Sequence, residues 1–150
     1  MIYAQNVAYA VVLKQQAATN GATLTSDNID TLGYDQVTID VVGTTSDNAT
    51  NNPSVLKVQE ADVTAATSFA DIAAFVGDGA SGFTIPDSPT ATTTAPFASF
   101  SVNLRKRKRY LRVLISPVTT QTFTVLATLE RASQAPVGTT AQNVAVVING

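Results

Sequence analysis

The sequence predicts an all-β fold, an antiparallel two-sheet sandwich of jelly-roll type with long polar loops. Three observations carry this expectation. Val, Ile, Thr, Phe and Tyr dominate the apolar stretches, and these residue types fit a pleated surface. Several stretches alternate with period two, which sends successive side chains to opposite faces. Clusters of Gly, Pro, Asn, Asp and Ser lie between them, as turns require. No linker or shift in composition divides the 150 residues. Residues 1–150 therefore read as a single β-sandwich domain, with terminal segments flexible or ordered by a partner.

Val7–Gln15 is the first expected strand, and Asn20-Gly21 the turn after it. In 34–42, YDQVTIDVV, Val37, Ile39 and Val41 point one way and Gln36, Thr38 and Asp40 the other. The polar loop GTTSDNATNNPS precedes a short strand at 55–60, VLKVQE. The stretch 66–76, ATSFADIAAFV, supports two readings. Phe69, Ile72 and Phe75–Val76 have helical spacing, whereas the alternative is two short strand pieces around Asp71. GDGASG ends this element, and 86–96, PDSPTATTTAP, is a loop with three prolines.

The last third is the most strand-like. Phe100, Val102 and Leu104 share one face, as do Leu111, Val113 and Ile115. Between Thr122 and Glu130, Phe123, Val125, Ala127 and Leu129 alternate against Thr122, Thr124, Leu126 and Thr128. Short connections predict that these three segments form an antiparallel meander. The apolar Val144–Ile148 is placed to close that sheet or to pair with a neighbouring subunit. Seven to nine strands are expected in all. The tetrapeptide Thr-Ser-Asp-Asn occurs at 25–28 and 45–48, but its surroundings differ, so it marks turns rather than a repeat.

Composition excludes several kinds of chemistry. The chain has no Cys and no His. Thiolate nucleophiles, disulfides, zinc-thiolate centres and histidine-based triads are therefore out of reach. Charged residues make up 13%, about half the usual share, so Thr, Ser, Asn, Gln and Ala supply the surface. A non-enzymatic packing unit is expected, without cofactor or metal. The segment MIYAQNVAYAVVLKQQ lacks a basic leader region, and its apolar run is too short to span a bilayer. A soluble chain outside the usual export route is expected.

The charge distribution is uneven. Residues 105–112, RKRKRYLR, hold six of the nine Lys and Arg. Residues 1–104 hold ten carboxylates and two lysines, a balance of −8 against +6. Such a run of cations cannot enter a core without a large desolvation penalty, so a hairpin tip is expected there. Arg105, Lys106, Arg107, Lys108, Arg109 and Arg112 are accordingly the candidate protein-interface residues. Three roles compete. The cations protect an edge from aggregation, dock on an acidic protein surface including that of another copy, or contact phosphates. Nucleic acid is the weakest reading, because Tyr110 is the only aromatic in the block and the net charge is −2.

Other candidates have plainer explanations. Asp27, Asn28 and Asp30, or Asp47 with Asn48, Asn51 and Asn52, offer oxygen ligands of the kind calcium takes. Neither group has the spacing of an EF-hand loop, and capping and turn roles account for them. Glu60 with Asp62, or Glu60 with Glu130, offers an acid/base pair in principle, and no spacing selects either. Gly77, Gly79 and Gly82 form G-x-G-x-x-G without the strand-to-helix setting that binds dinucleotides. Asn48-Ala49-Thr50 is a formal glycosylation sequon with no secretion signal to give it meaning.

The chain resembles small bacteriophage virion proteins. The resemblance rests on YDQVTI at 34–39, LKVQEAD at 56–62, FADI at 69–72 and RKRYLRV at 107–113. It implies a compact β-domain serving as a head-decoration, cement or minor capsid protein. Its place would be the virion, assembled in the host cytoplasm. Its partners would be other capsid proteins and copies of itself, in a homo-oligomer, with no membrane. It implies no catalytic residues. The alternatives are a peripheral host-receptor or glycan-binding module, using loops 44–54 and 77–96, and nucleic-acid contact through the basic block. The long polar loops 44–54, 86–96 and 132–142 suit arms ordered by contact.

Overall fold

The computed structural model describes residues 7–19, 21–44, 52–86, 97–131 and 147–149. They form ten strands: β1 (Val7–Ala18), β2 (Leu24–Thr25), β3 (Ile29–Asp30), β4 (Gln36–Gly43), β5 (Val55–Ala61), β6 (Ala70–Val76), β7 (Ala98–Asn103), β8 (Tyr110–Ser116), β9 (Gln121–Glu130) and β10 (Val147–Asn149). One sheet has the order β1-β9-β4-β7-β10 and the other β2-β8-β5-β6, with β3 also on β8.

The topology is a rolled ribbon. β1 pairs with β9, β2 and β3 with β8, β4 with β7, and β5 with β6, every pair antiparallel. These pairs fall alternately in the first and second sheet. Laid flat they make one long hairpin, and winding it on itself adds the β9–β4 and β8–β5 pairings. This is the jelly roll the sequence predicts. β10 joins the far edge of the first sheet, parallel to β7.

The core lies between the sheets, where the alternating residues place it. Val37, Ile39, Val41, Phe100 and Val125 from the first sheet meet Leu56, Val58, Phe75, Leu111 and Val113 from the second, each at most 1% exposed. Burial of such a side chain contributes about 1.5–3 kcal/mol. Phe100 sits edge-on to Phe75 at 5.9 Å and to Phe83 at 5.4 Å, joining the two layers.

The structure corrects three expectations. The last three long strands are not a meander. β7 and β9 flank β4 in the first sheet, while β8 lies in the second between β2 and β5. Alternation shows that each strand has an inner face but does not say which sheet owns it. Sheets pack about 10 Å apart, a gap a few extended residues can cross. The basic block is consequently no hairpin tip. It forms the crossing between sheets, with a 3-10 turn at Leu104–Lys106. The third correction is the strand count, ten against seven to nine, because two-residue β2 and β3 leave no period to read.

The segment 66–76 also resolves. A 3-10 turn at Ala66–Ser68 precedes the single strand β6. Its helical spacing has a physical source in the sheet. Gln59 pairs with Asp71 and Lys57 with Val76, so β6 carries extra residues against β5. That bulge lets Ile72 and Phe75, three apart, both reach the core. The glycine motif after it is a compact loop. A Cβ at Gly82 would collide with the Val76 carbonyl oxygen. Asp78, at φ 56°, accepts the Ile85 amide on Oδ1 at 3.1 Å.

Candidate interaction surface

The basic crossing is built by three neighbours. Leu104 N donates to the Asp35 carbonyl at 2.9 Å, and the Arg109 carbonyl accepts both Thr31 N and Thr31 Oγ1, at 3.0 and 2.7 Å. These bonds tie the crossing to the turn 31–35. On the other side Lys108 N donates to Glu60 Oε2 at 3.0 Å, at the end of β5. Asn103 caps the 3-10 turn by accepting Arg105 N on Oδ1 at 3.1 Å.

Four of the six candidate cations have partners within the chain. Arg109 grips Asp30 with two parallel bonds, Nε to Oδ1 at 2.9 Å and Nη2 to Oδ2 at 2.7 Å, and stacks over Tyr110 at 4.9 Å. The Arg109 guanidinium holds the Asp30 carboxyl below its ordinary value, and Asp30 in turn raises Arg109. Arg107 approaches Glu60 at 3.6 Å and Lys108 approaches Asp62 at 3.8 Å. Arg112 points outward from β8, where Nε donates to Gln59 Oε1 at 2.8 Å and Nη2 to the Ala66 carbonyl at 3.2 Å. It lies 4.1 Å from the centre of the Phe69 ring. Gln59 passes this network on to Asp71 at 2.6 Å, and Lys57 reaches the same carboxylate at 2.9 Å. The Gln59 amide, with help from Lys57, holds Asp71 below its ordinary value.

Arg105 and Lys106 differ from these four. Both are exposed, and neither side chain has an ion pair among the described residues. Only these two of the six are therefore free to meet a partner without first giving up an internal one.

The carboxylates fall into place beside them. Glu60 and Asp62 face cations rather than forming an acid/base pair. Asp30, read as a possible calcium ligand, has both oxygens on Arg109, and Asp30 Oδ1 also accepts Leu32 N. Among the described residues no three carboxylates converge on a metal position, and no helix is long and apolar enough to cross a membrane. Asp47, Asn48 and Asn51, the sequon at 48–50, and most of loops 44–54, 86–96 and 132–142 lie outside the described residues.

A second surface emerges on the outer face of the first sheet. Val11 on β1 pairs with Leu126 on β9, and Leu126 pairs with Asp40 on β4. Tyr9 lies two residues along the same face as Val11. Tyr9, Val11 and Leu126 are 80%, 50% and 38% exposed. The sequence does carry a signal for this patch, since Leu126 stands in the outward row otherwise occupied by Thr122, Thr124 and Thr128. Comparison with protein-family models and with curated proteins returns no match to the chain.

Proposed function

We propose that this chain is a non-enzymatic structural protein of a virion, a capsid decoration, cement or minor capsid protein that assembles through protein–protein contacts. The observation that carries the reading is the rolled ribbon itself, a jelly roll whose first sheet carries few charges on its outer face. Viral shells use this architecture among others, so it supports the reading as a fold-level analogy. The resemblance of residues 34–39, 56–62, 69–72 and 107–113 to small phage virion proteins points the same way. A shell component needs faces that desolvate cheaply. Hydroxyl-rich and apolar surface does so better than a fully charged one.

The six cations divide the work under this reading. Arg107, Lys108 and Arg109 hold the crossing in place, Arg112 braces the second sheet, and Arg105 and Lys106 serve the contact. The test is compositional and spatial. Virus particles purified from host cells and analysed by quantitative mass spectrometry should contain the chain in a fixed ratio to the major shell protein. Electron cryo-microscopy should then place it at symmetry-related positions. Intact infectious particles lacking the chain would overturn the proposal.

A further inference from the structure

Among the described residues six large hydrophobic side chains are exposed: Tyr9, Val11, Leu32, Val63, Val118 and Leu126. Scattered singly they would need no explanation. Five of them instead fall in two places, one beside cations that have no ion pair among the described residues and one bordered by carboxylates.

The first is the end of the sandwich at the basic crossing. Leu32 belongs to the turn whose Thr31 and Asp35 are hydrogen-bonded to Arg109 and Leu104. Val63 follows Asp62, the partner of Lys108. Leu32 and Val63 are 68% and 53% exposed, and Arg105 and Lys106, which have no ion pair among the described residues, lie in the 3-10 turn of the same crossing. The second place is the outer face of the first sheet, with Tyr9, Val11 and Leu126. Asp40 adjoins Leu126 across the β4–β9 ladder, and Glu130 lies on the same face of β9. No Lys or Arg occurs on β4, β7 or β9, nor on β1 from Val7 to Val11.

We propose that these two surfaces bind each other on successive copies of the chain. The end bearing Leu32, Val63, Arg105 and Lys106 docks on the face bearing Tyr9, Val11, Leu126 and Asp40 of the next copy. Two exposed aliphatic residues and two cations without an internal ion pair meet an apolar patch bordered by carboxylates. Apolar burial supplies affinity, and the opposite charges set orientation and speed encounter. The contact is heterologous, so each copy keeps one free end and one free face, and the assembly either closes as a ring or continues as a filament. This deepens the virion reading and rests on it for its biological setting. The contact itself is a property of the isolated chain.

The experiment is sedimentation velocity on the full-length chain, from micromolar to millimolar concentration, at low and high salt. Two variants accompany the wild type. One removes the cationic end, Arg105→Ser with Lys106→Ser. The other converts the face, Val11→Lys with Asp40→Lys. All four positions avoid the core, and circular dichroism with thermal melting checks that each variant folds. The wild type should associate, and more weakly as salt rises. Each variant alone should associate at least about tenfold more weakly. Mixed together they should form a one-to-one dimer that grows no further, since only one intact end and one intact face remain. Three results would overturn the inference: a wild type monomeric throughout, association undiminished in either folded variant, or no dimer on mixing. Absence of the chain from particles would sink the virion reading while leaving this contact measurable, so the two failures are distinguishable.

Discussion

The outer faces of the two sheets handle charge in opposite ways. On the second sheet Lys57, Asp71, Gln59 and Arg112 form one continuous network, with Phe69 beneath the guanidinium, and Asp30 on β3 pairs with Arg109, just before β8. On the first sheet the middle of the face is Val11, Leu126, Thr38, Thr128 and Asp40, without a cation. The difference teaches that the basic block is not a single functional unit. Arg112, which alternates with core residues on β8, braces the second sheet; Arg107, Lys108 and Arg109 tie the crossing to Glu60, Asp62 and Asp30; and Arg105 and Lys106, in the 3-10 turn, are exposed. A charged face satisfied by its own strands has little to offer a partner, whereas a face with few charges can be covered at small desolvation cost.

Both faces rest on the core between the sheets, where substitutions have the largest effect. Val113→Asp or Phe123→Asp places a carboxylate among side chains at most 1% exposed. Neither variant should fold, because the penalty approaches the whole stability of a domain, about 5–15 kcal/mol. Near-ultraviolet circular dichroism and proton NMR dispersion would report this directly. Gly82→Ala tests the loop that follows β6. Its new methyl group meets backbone rather than a side chain that can turn aside. A loss of about 1–3 kcal/mol in urea denaturation is expected.

The second sheet's network is sharpened by smaller changes. Arg112→Ala removes two hydrogen bonds and a stacked ring, and should cost about 1–2 kcal/mol. Acid should weaken the same face. Asp30 and Asp71 have folded-state values below their ordinary 3.8, so the unfolded chain binds more protons at low pH. Their contribution is complete above the ordinary value and is lost as pH falls through it towards the lowered ones. Both side chains are partly exposed, at 46% and 41%, so the effect is modest and shrinks with salt. Melting temperature against pH should fall less steeply below pH of about 4 in Asp30→Asn with Asp71→Asn than in the wild type. The smallest change is expected from Arg105→Ser with Lys106→Ser, within about 0.5 kcal/mol of the wild type, as for surface substitutions that break no contact.

Much of this fold is legible in the sequence because alternation is a local property. Val37, Ile39 and Val41 announce an inner face before any partner is known, and so do Leu111, Val113 and Ile115. The two-sheet sandwich class follows from such strands and the turns between them. Sheet membership does not, because β8 shows the same pattern whether it pairs with β7 and β9 or with β2 and β5. The site is legible in part. The block 105–112 stands out by charge, yet the partners that divide it are far away along the chain. Asp30 lies 79 positions from Arg109 and Gln59 lies 53 from Arg112, and no local pattern connects them. Tyr9, Val11, Leu32 and Val63 are exposed because of where their strands and turns sit, which only the assembled ribbon decides.

The division of the cations is tested most directly by one paired measurement. Arg112→Ala and the double variant Arg105→Ser with Lys106→Ser are compared with the wild type for both melting temperature and self-association constant. Loss of melting temperature without loss of association in the first, and the reverse in the second, is the expected result. Equal effects of the two variants on either quantity would contradict it.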